Sequence, residues 1–304
     1  MQHPGDPLLA GVELGGTKCI CVLGTGPHDI RAQIELPTHD PPGTLAAIEA
    51  VLEGWRTPGC GFAALGLAAF GPLDLRRGSP HYGWVSRTVK PGWSDTELLG
   101  RFARRFQVPT SIDTDVNAAA RAEGRWGGAR GLRDFVYVTV GTGIGAGVII
   151  NGAPVSGANH TELGHIRTVR LPGDGFAGVC AYHGDCLEGL ASGPAIAARA
   201  GRPPAALPAA DPAWVPVAHA LGQLCQTLVL SVAPRRIFLG GGVMTGQPQL
   251  FGMIRQSLKN SLNGYMDTRE VGDEVDRFIV PSALGAAVGP LGALAVAAER
   301  MPPP

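Results

Sequence analysis

A chain of 304 residues that is 45% hydrophobic and only 16% charged is long enough for two packed lobes and too apolar for a disordered polymer. Its 25 basic and 25 acidic residues cancel, so no electrostatic footprint points to nucleic acid or an anionic membrane. No run of about 18 apolar residues occurs and the polar, proline-rich start lacks an apolar signal core, so a cytoplasmic protein without a membrane span is expected. In a reducing compartment the six cysteines are not a disulfide framework. Cys19 and Cys21 share one face of an expected strand and, with the isolated Cys60 and Cys225, read as small buried hydrophobes. Cys180 and Cys186 need another explanation. Arg101, Arg104 and Arg105 lie at helical spacing and read as a solvated helix face.

Taken in chain order, residues 8–14 and 18–23 read as strands around a Gly-Gly turn, with a third strand at 30–36. A helix is expected over 44–55 behind a Pro-Pro-Gly stop, then strands at 62–68 and 110–112 and an Ala-rich helix at 116–125. Strands at 135–140 and 146–150 flank a second Gly-rich turn, and 157–189 is loop-like. The segment 200–216 reads as an exposed Ala/Pro connector. A helix at 217–232, a strand at 236–239 and helices at 248–262 and 283–300 complete the pattern; the last three prolines are expected to be disordered. Strands and helices interleave, an α/β arrangement. The order strand, Gly-turn with Thr, strand occurs at 11–22 and again at 136–149, as either two similar lobes or two unrelated hairpins would produce.

Gly15 and Gly16 stand at the first turn, where glycine lets backbone N–H groups approach an anion; Thr17 adds a hydroxyl and Lys18 a charge. An ordinary Gly-Gly hairpin is the alternative. The second turn, Val140-Gly141-Thr142-Gly143-Ile144-Gly145-Ala146-Gly147, is the same device, and the strand that follows it excludes a dinucleotide fold, which requires a helix there. A third cluster, Gly240-Gly241-Gly242, follows a strand and leaves room for a flat base. Asp113 and Asp115 end one strand and begin a helix; either caps that helix or accepts a hydroxyl proton. Cys180, His183 and Cys186 occur within seven residues and His165 lies fifteen residues upstream, a set suited to tetrahedral zinc of the structural kind. The alternative is a loop merely rich in His and Cys, and His160 is a further candidate ligand.

Together Gly15-Gly16-Thr17-Lys18, Asp115-Val116-Asn117-Ala118-Ala119-Ala120, Gly141 to Gly147, Glu162-Leu163-Gly164-His165 and Cys186-Leu187-Glu188 resemble the ROK family of sugar kinases and sugar-responsive repressors. The resemblance implies the hexokinase/actin-like (ribonuclease H-like) ATPase fold, two similar α/β lobes with an active-site cleft between them. It places the lobes at 1–116, rejoined by a C-terminal helix at 283–299, and at 117–282, with a zinc loop at 157–189. Phe70-Gly71-Pro72-Leu73-Asp74, Lys90-Pro91-Gly92-Trp93 and the segment His183 to Gly193 are similar to the fructokinase branch. That branch implies ATP, Mg²⁺ and transfer to the 6-hydroxyl of fructose, with Asp115 as base and Gly71, Glu162, His165 and Glu188 near the sugar. It also implies that the phosphates lie between the two Gly-Thr loops, that Gly241 and Gly242 line the adenosine site, that zinc is held by the Cys/His cluster, and that the chain is a homodimer. Zinc would then act on the sugar indirectly, by fixing Glu162 and Glu188, at a distance from the ATP loops.

Three positions depart from the pattern. Glu13 replaces the Asp of the wider fold, which leaves its part in Mg²⁺ positioning open. Thr114 stands where many family glucokinases have Asn, which speaks against a standard glucokinase, and Asn159-His160-Thr161-Glu162 differs from the His-Pro-Glu of fructokinases. A kinase for glucose, mannose or another hexose is the nearest alternative. A sugar-binding repressor is disfavoured, because only about ten residues precede the first strand, too few for a helix-turn-helix region.

Overall fold

The computed structural model describes residues 7–56, 61–266 and 268–299. The Cys60 reading and the expected disorder of the last three prolines lie outside the described residues. The elements run β1 (Leu9–Leu14), β2 (Lys18–Gly26), β3 (Asp29–Pro37), α1 (Pro41–Gly54), β4 (Ala64–Ala69), β5 (Trp84–Val85), β6 (Thr96–Glu97), α2 (Leu99–Phe106), β7 (Thr110–Thr114), α3 (Asp115–Trp126), β8 (Phe135–Val140) and β9 (Ile144–Ile150). They continue with β10 (Ala153–Pro154), α4 (Leu187–Ala191), α5 (Gly193–Ala200), α6 (Trp214–Val232), β11 (Ile237–Gly240), α7 (Gly242–Gly246), α8 (Leu250–Leu262), α9 (Val275–Phe278), β12 (Ile279–Pro281) and α10 (Val288–Ala298). The chain divides into two compact units, one made of the described residues of Met1–Arg130, Ser156–His160 and Ala287–Pro304, the other of those of Gly131–Val155 and Thr161–Ala286.

Each unit holds a five-stranded sheet, ordered β3-β2-β1-β4-β7 in the first and β10-β9-β8-β11-β12 in the second. In the first, β1 pairs β2 antiparallel and β4 parallel, and β4 pairs β7 parallel. In the second, β8 pairs β9 antiparallel and β11 parallel, and β11 pairs β12 parallel. The two Gly-turn hairpins, β1–β2 and β8–β9, therefore occupy equivalent places in equivalent sheets, which decides between lobes and unrelated hairpins in favour of lobes.

β4 reads Ala-Leu-Gly-Leu-Ala-Ala and is buried throughout, as a parallel strand covered on both faces must be. One cover is α10, apolar all round and buried along its length. It lies close because glycines face it: a Cβ at Gly66 would stand 2.0 Å from the Ala293 carbonyl oxygen and 2.4 Å from the Ala297 nitrogen. Gly292 does the same toward α3, where a Cβ would stand 2.7 Å from the Ala118 carbonyl carbon. α3 thus packs with the first unit, and the compact unit ends at Arg130, later than a boundary at residue 116 would have it.

Several local readings change. Pro41 and Pro42 are no stop but the first turn of α1, where a missing N–H costs nothing, and the Asp40 carboxylate caps it by accepting the Gly43 N–H at 3.0 Å. α2, unforeseen as an element, carries the arginine cluster; each guanidinium pairs with a glutamate, Arg101 with Glu49, Arg104 with Glu97 and Arg105 with Glu53. The connector at 200–216 is not simply exposed, since Leu207 and Trp214 are buried in the second core. Among the described residues one helix, the 19-residue α6 at a mean hydropathy of 1.4, is long and apolar enough to cross a membrane, against expectation. Val217, Leu221, Leu224, Cys225 and Leu228 of that helix are buried in the second core, as in a core helix.

The tight approach of α10 sets a stability test. Gly66→Ala should lower the unfolding free energy by about 1–3 kcal/mol, the usual cost of overpacking, seen as a lower urea midpoint. Gly252→Ala, in α8 with nothing within 4 Å of the new methyl, should raise it by up to about 1 kcal/mol.

Candidate active site

In the first unit the β1–β2 turn disposes of its carbonyls on neighbouring groups. The Gly15 carbonyl accepts the Thr38 hydroxyl at 2.8 Å and the Thr17 carbonyl accepts the Thr38 N–H at 2.9 Å. The Gly16 carbonyl accepts the Lys90 ammonium. Glycine is required at 15, where a Cβ would stand 2.7 Å from the Lys18 carbonyl oxygen, while a Cβ at 16 would meet nothing within 4 Å. The exposed crest of the turn, Gly16 to Lys18, thus fits an anion nest. The Lys18 ammonium is paired with Glu35 at 2.6 Å. No local sequence pattern marks Thr38 and Lys90 as turn supports; only the Lys90-Pro91-Gly92-Trp93 motif points to the region.

Asp113, Thr114 and Asp115 separate cleanly. The helix cap is Thr114, whose hydroxyl accepts the Asn117 N–H at 3.2 Å, so neither aspartate is the N-cap. Asp113 is buried and its carboxylate accepts the Thr114 N–H and the Asn117 amide at 2.8 Å each, together with two Arg121 N–H groups at 3.1 and 3.2 Å. Its oxygens are committed to structure. Asp115 is the first residue of α3 and uses Oδ1 to accept the Val116 N–H at 2.9 Å.

Glu13 lies on β1 in a notch left by Gly289, where a Cβ would stand 2.1 Å from Glu13 Oε1. Burial, then the nearby Asp115 charge, pushes its carboxyl up to about 7, against the pull of Lys18. Near Gly71, the Leu73 N–H donates to His160 Nε2 at 3.0 Å and the Leu75 N–H to Asn159 Oδ1 at 3.2 Å. His160 therefore braces this loop and does not join the cluster, which removes it as a replacement for one of the four candidate ligands.

In the second unit the 141–145 loop is tied by the Gly193 N–H, which donates to the Gly141 carbonyl at 2.7 Å, and by the Gly141 N–H, which donates to the Gly143 carbonyl at 2.9 Å. Thr142 is exposed and Gly143 and Gly145 are half-buried. Gly241 adopts φ 88° and sits against Val140, where a Cβ would be 2.4 Å from the carbonyl oxygen; Gly242 opens α7 beside it. The second and third glycine clusters thus meet. Gly164 brings the Glu162-to-His165 turn against β9, since a Cβ there would stand 1.8 Å from the Ile144 carbonyl oxygen. Glu162 is exposed on that turn. Glu188 accepts the Ile144 N–H at 3.0 Å, so the metal loop touches the 141–145 loop directly. This corrects the expectation that the two are remote.

The ligand atoms of His165, Cys180, His183 and Cys186 all lie within 4.8 Å of one another. Cys180 Sγ is 3.7 Å from Nδ1 of both His165 and His183, and Cys186 Sγ is 3.5 Å from His165 Nδ1. A tetrahedral ion with Zn–S and Zn–N bonds of about 2.3 and 2.05 Å needs S···N edges of roughly 3.5 Å. The donor set and its spacing fit such an ion.

The chain is similar to known proteins over most of its length. The family model described as "ROK family" matches residues 9–300. A fructokinase of Pediococcus pentosaceus is 40% identical over 290 residues, covering 95% of this chain and 97% of its own. A fructokinase of Zymomonas mobilis is 40% identical over 298 residues, covering 95% and 96%. The structure of a ROK family glucokinase from Streptomyces griseus, in complex with glucose and AMPPNP, superposes with a TM-score of 0.74 at 25% identity, covering 96% of this chain and 99% of that one.

The Glu13 carboxyl yields a pH test. Its raised value means that the folded protein holds a proton the unfolded chain has released between pH 4.5 and about 7. Its contribution to stability is therefore complete below the lower value and lost as pH rises through the upper one. Glu13→Gln should match the wild type in urea unfolding at pH 4.5 and exceed it by up to about 3 kcal/mol at pH 8. Equal curves at both pH values would contradict the assignment.

Proposed function

The chain belongs to the ROK family, and from that premise we propose that it transfers the γ-phosphate of ATP to the 6-hydroxyl of fructose. The observation that carries the reading is the near-full-length match to two fructokinases, joined to glycine turns at the same place in both sheets and an aspartate at the head of α3. Thr114 supports fructose over glucose: its hydroxyl is spent on the helix cap, where a glucokinase-like Asn would offer an amide.

Phosphoryl transfer asks the protein mainly for positioning and charge neutralisation. On this reading the phosphate-binding groups of the first unit are Thr17 and the backbone N–H groups of Gly16 and Lys18; those of the second unit are Gly141, Thr142, Gly143 and Gly145, with Gly241 and Gly242 leaving space for the adenosine. Glu162, His165 and Glu188 orient the sugar. Asp115 takes the proton from the 6-hydroxyl as the new O–P bond forms; the bond between the γ-phosphorus and the bridging oxygen breaks and ADP leaves with that electron pair. Mg²⁺, carried in with ATP, would neutralise phosphate charge. From the family resemblance, the chain works as a cytoplasmic homodimer on this small-molecule substrate, without nucleic acid.

ADP release with fructose should exceed the sugar-free rate and the rates with glucose and mannose. A higher rate with glucose or mannose would move the chain to another hexose, and no sugar dependence would end the kinase reading. Asp115→Asn should retain fructose binding and lose about 10²–10⁴-fold in turnover. Asp113→Asn should instead lower the melting temperature, because the buried carboxylate serves Asn117 and Arg121.

The Cys/His cluster is proposed as a structural zinc site, closed by four protein ligands and taking no part in the transfer. When bound, zinc supplies folding energy to a Gly-rich loop with little apolar core. Elemental analysis should find one zinc per chain, and Cys180→Ser should lose it with a fall in melting temperature. Full stability and fructose-dependent activity without zinc would show that the cluster binds no structural metal.

A further inference from the structure

Of the two oxygens on Glu188, Oε2 is engaged on the protein itself, accepting the Ile144 N–H at 3.0 Å. Ile144 directly follows Gly141-Thr142-Gly143, so this bond ends on the loop assigned to phosphate. The fit is close from the loop side as well: a Cβ at Gly143 would stand 2.7 Å from the same oxygen. The opposite end of the loop is tied to the next helix, where the Gly193 N–H donates to the Gly141 carbonyl at 2.7 Å. Glu188 lies on α4, which begins immediately after the ligand Cys186. The conformation of the loop thus rests on α4, α5 and one carboxylate.

A carboxylate is a rigid plane with two oxygens and room for about four hydrogen bonds. Its oxygens cannot be oriented independently. A hydroxyl that docks on Oε1 sets the plane, and the plane sets the direction in which Oε2 meets the Ile144 N–H. Taking Glu188 as sugar-facing, as the proposed function does, we propose that it is a positioning residue through which bound fructose orders the 141–145 loop and tightens the binding of a nucleoside triphosphate. The effect on nucleotide affinity has a reciprocal: nucleotide tightens fructose by the same factor. Such a link gives the loop its phosphate-binding form when an acceptor hydroxyl is present, which disfavours transfer to water.

The measurement is calorimetric titration of full-length protein with a non-hydrolysable ATP analogue and Mg²⁺, without and with saturating fructose. The ratio of the two dissociation constants is the coupling factor, expected at about 5 or more for the wild type. Gly143→Ala puts a methyl against Oε2 from the loop side and so disturbs the carboxylate plane. The coupling factor should then fall to roughly 1, whatever the accompanying shift of Oε1 does to fructose affinity alone. Glu188→Gln, which keeps the shape but loses the charge, should lower the factor and also weaken fructose. It serves as the deciding variant if Gly143→Ala melts too low to titrate. A merely structural contact would weaken nucleotide binding equally with and without fructose and preserve the factor; that result overturns the proposal. A wild type that binds fructose with a factor near 1 overturns the coupling alone. One that binds the analogue but no fructose overturns the substrate reading and the coupling with it.

Discussion

A glycine turn proposed to offer its N–H groups to an anion has to send its carbonyls elsewhere, and much of this structure follows from where they go. Left pointing at a phosphate, each carbonyl would repel it; left buried without a donor, each would cost about 1–3 kcal/mol. In the first unit the carbonyls of residues 15, 16 and 17 find donors on Thr38 and Lys90, two residues from separate parts of the chain. The turn is therefore shaped by the end of β3 and by the loop after β5, which Trp93 anchors by donating its indole N–H to the His39 carbonyl at 2.9 Å. In the second unit the donors are backbone groups of the loop itself and of α5, and a carboxylate takes one N–H. The same device is supported by side chains in one unit and largely by main chain in the other.

What the sequence displays well are features that glycine and periodicity enforce. The strands beside both Gly turns are almost uniformly apolar because they are buried on both faces, and a continuous apolar run bounded by glycines is visible without a structure. Three members of the Cys/His cluster, Cys180, His183 and Cys186, are visible because they recur within seven residues. The buried state of Cys19, Cys21 and Cys225 follows from their apolar neighbours. Elements that local pattern describes poorly were missed: α2 is rich in arginines, α5 is a short run of Ala after Gly-Pro, and β12 has only three residues.

The site was harder to read, for a physical reason. A carboxylate, a hydroxyl or a glycine has several equally good uses, and only tertiary partners choose among them. Asp113, Thr114 and Asp115 are adjacent and polar, and each is chemically able to cap a helix. The structure assigns the cap to Thr114 because the Asp113 carboxylate is already filled by Asn117 and Arg121, which lie four and eight residues further on. Gly289 looks like an ordinary helix glycine until Glu13 is found in the space its side chain would fill. Gly164 and Gly66 are likewise chosen by what approaches them, namely the Ile144 carbonyl and the backbone of α10. None of the partners of these three glycines is near in sequence, so no window of residues contains that signal.

The loop that carries the metal cluster shows the same dependence in energetic form. Leu163, Ile166 and Phe176 pack on the second core, but Val169 and Tyr182 are exposed, so apolar burial does little for its middle. Ion pairs fill part of that role. Arg199 holds Asp174 by two hydrogen bonds of 2.7 and 3.1 Å, stacks 4.4 Å above the Phe176 ring and holds the Asp174 carboxyl down to about 2. Arg170 reaches from Asp174 to Asp185, the residue just before the candidate ligand Cys186. The first pair is largely buried and bidentate, which gives it geometry that an exposed pair lacks; the links to Asp185 are more exposed, where such pairs contribute about 0–1 kcal/mol. The chain of charges can therefore hold the base of the loop on α5 but not its tip. At the tip stand Cys180, His183 and Cys186, where the proposed ion would replace the core that the sequence does not provide, and directly beyond them begins the helix that carries Glu188.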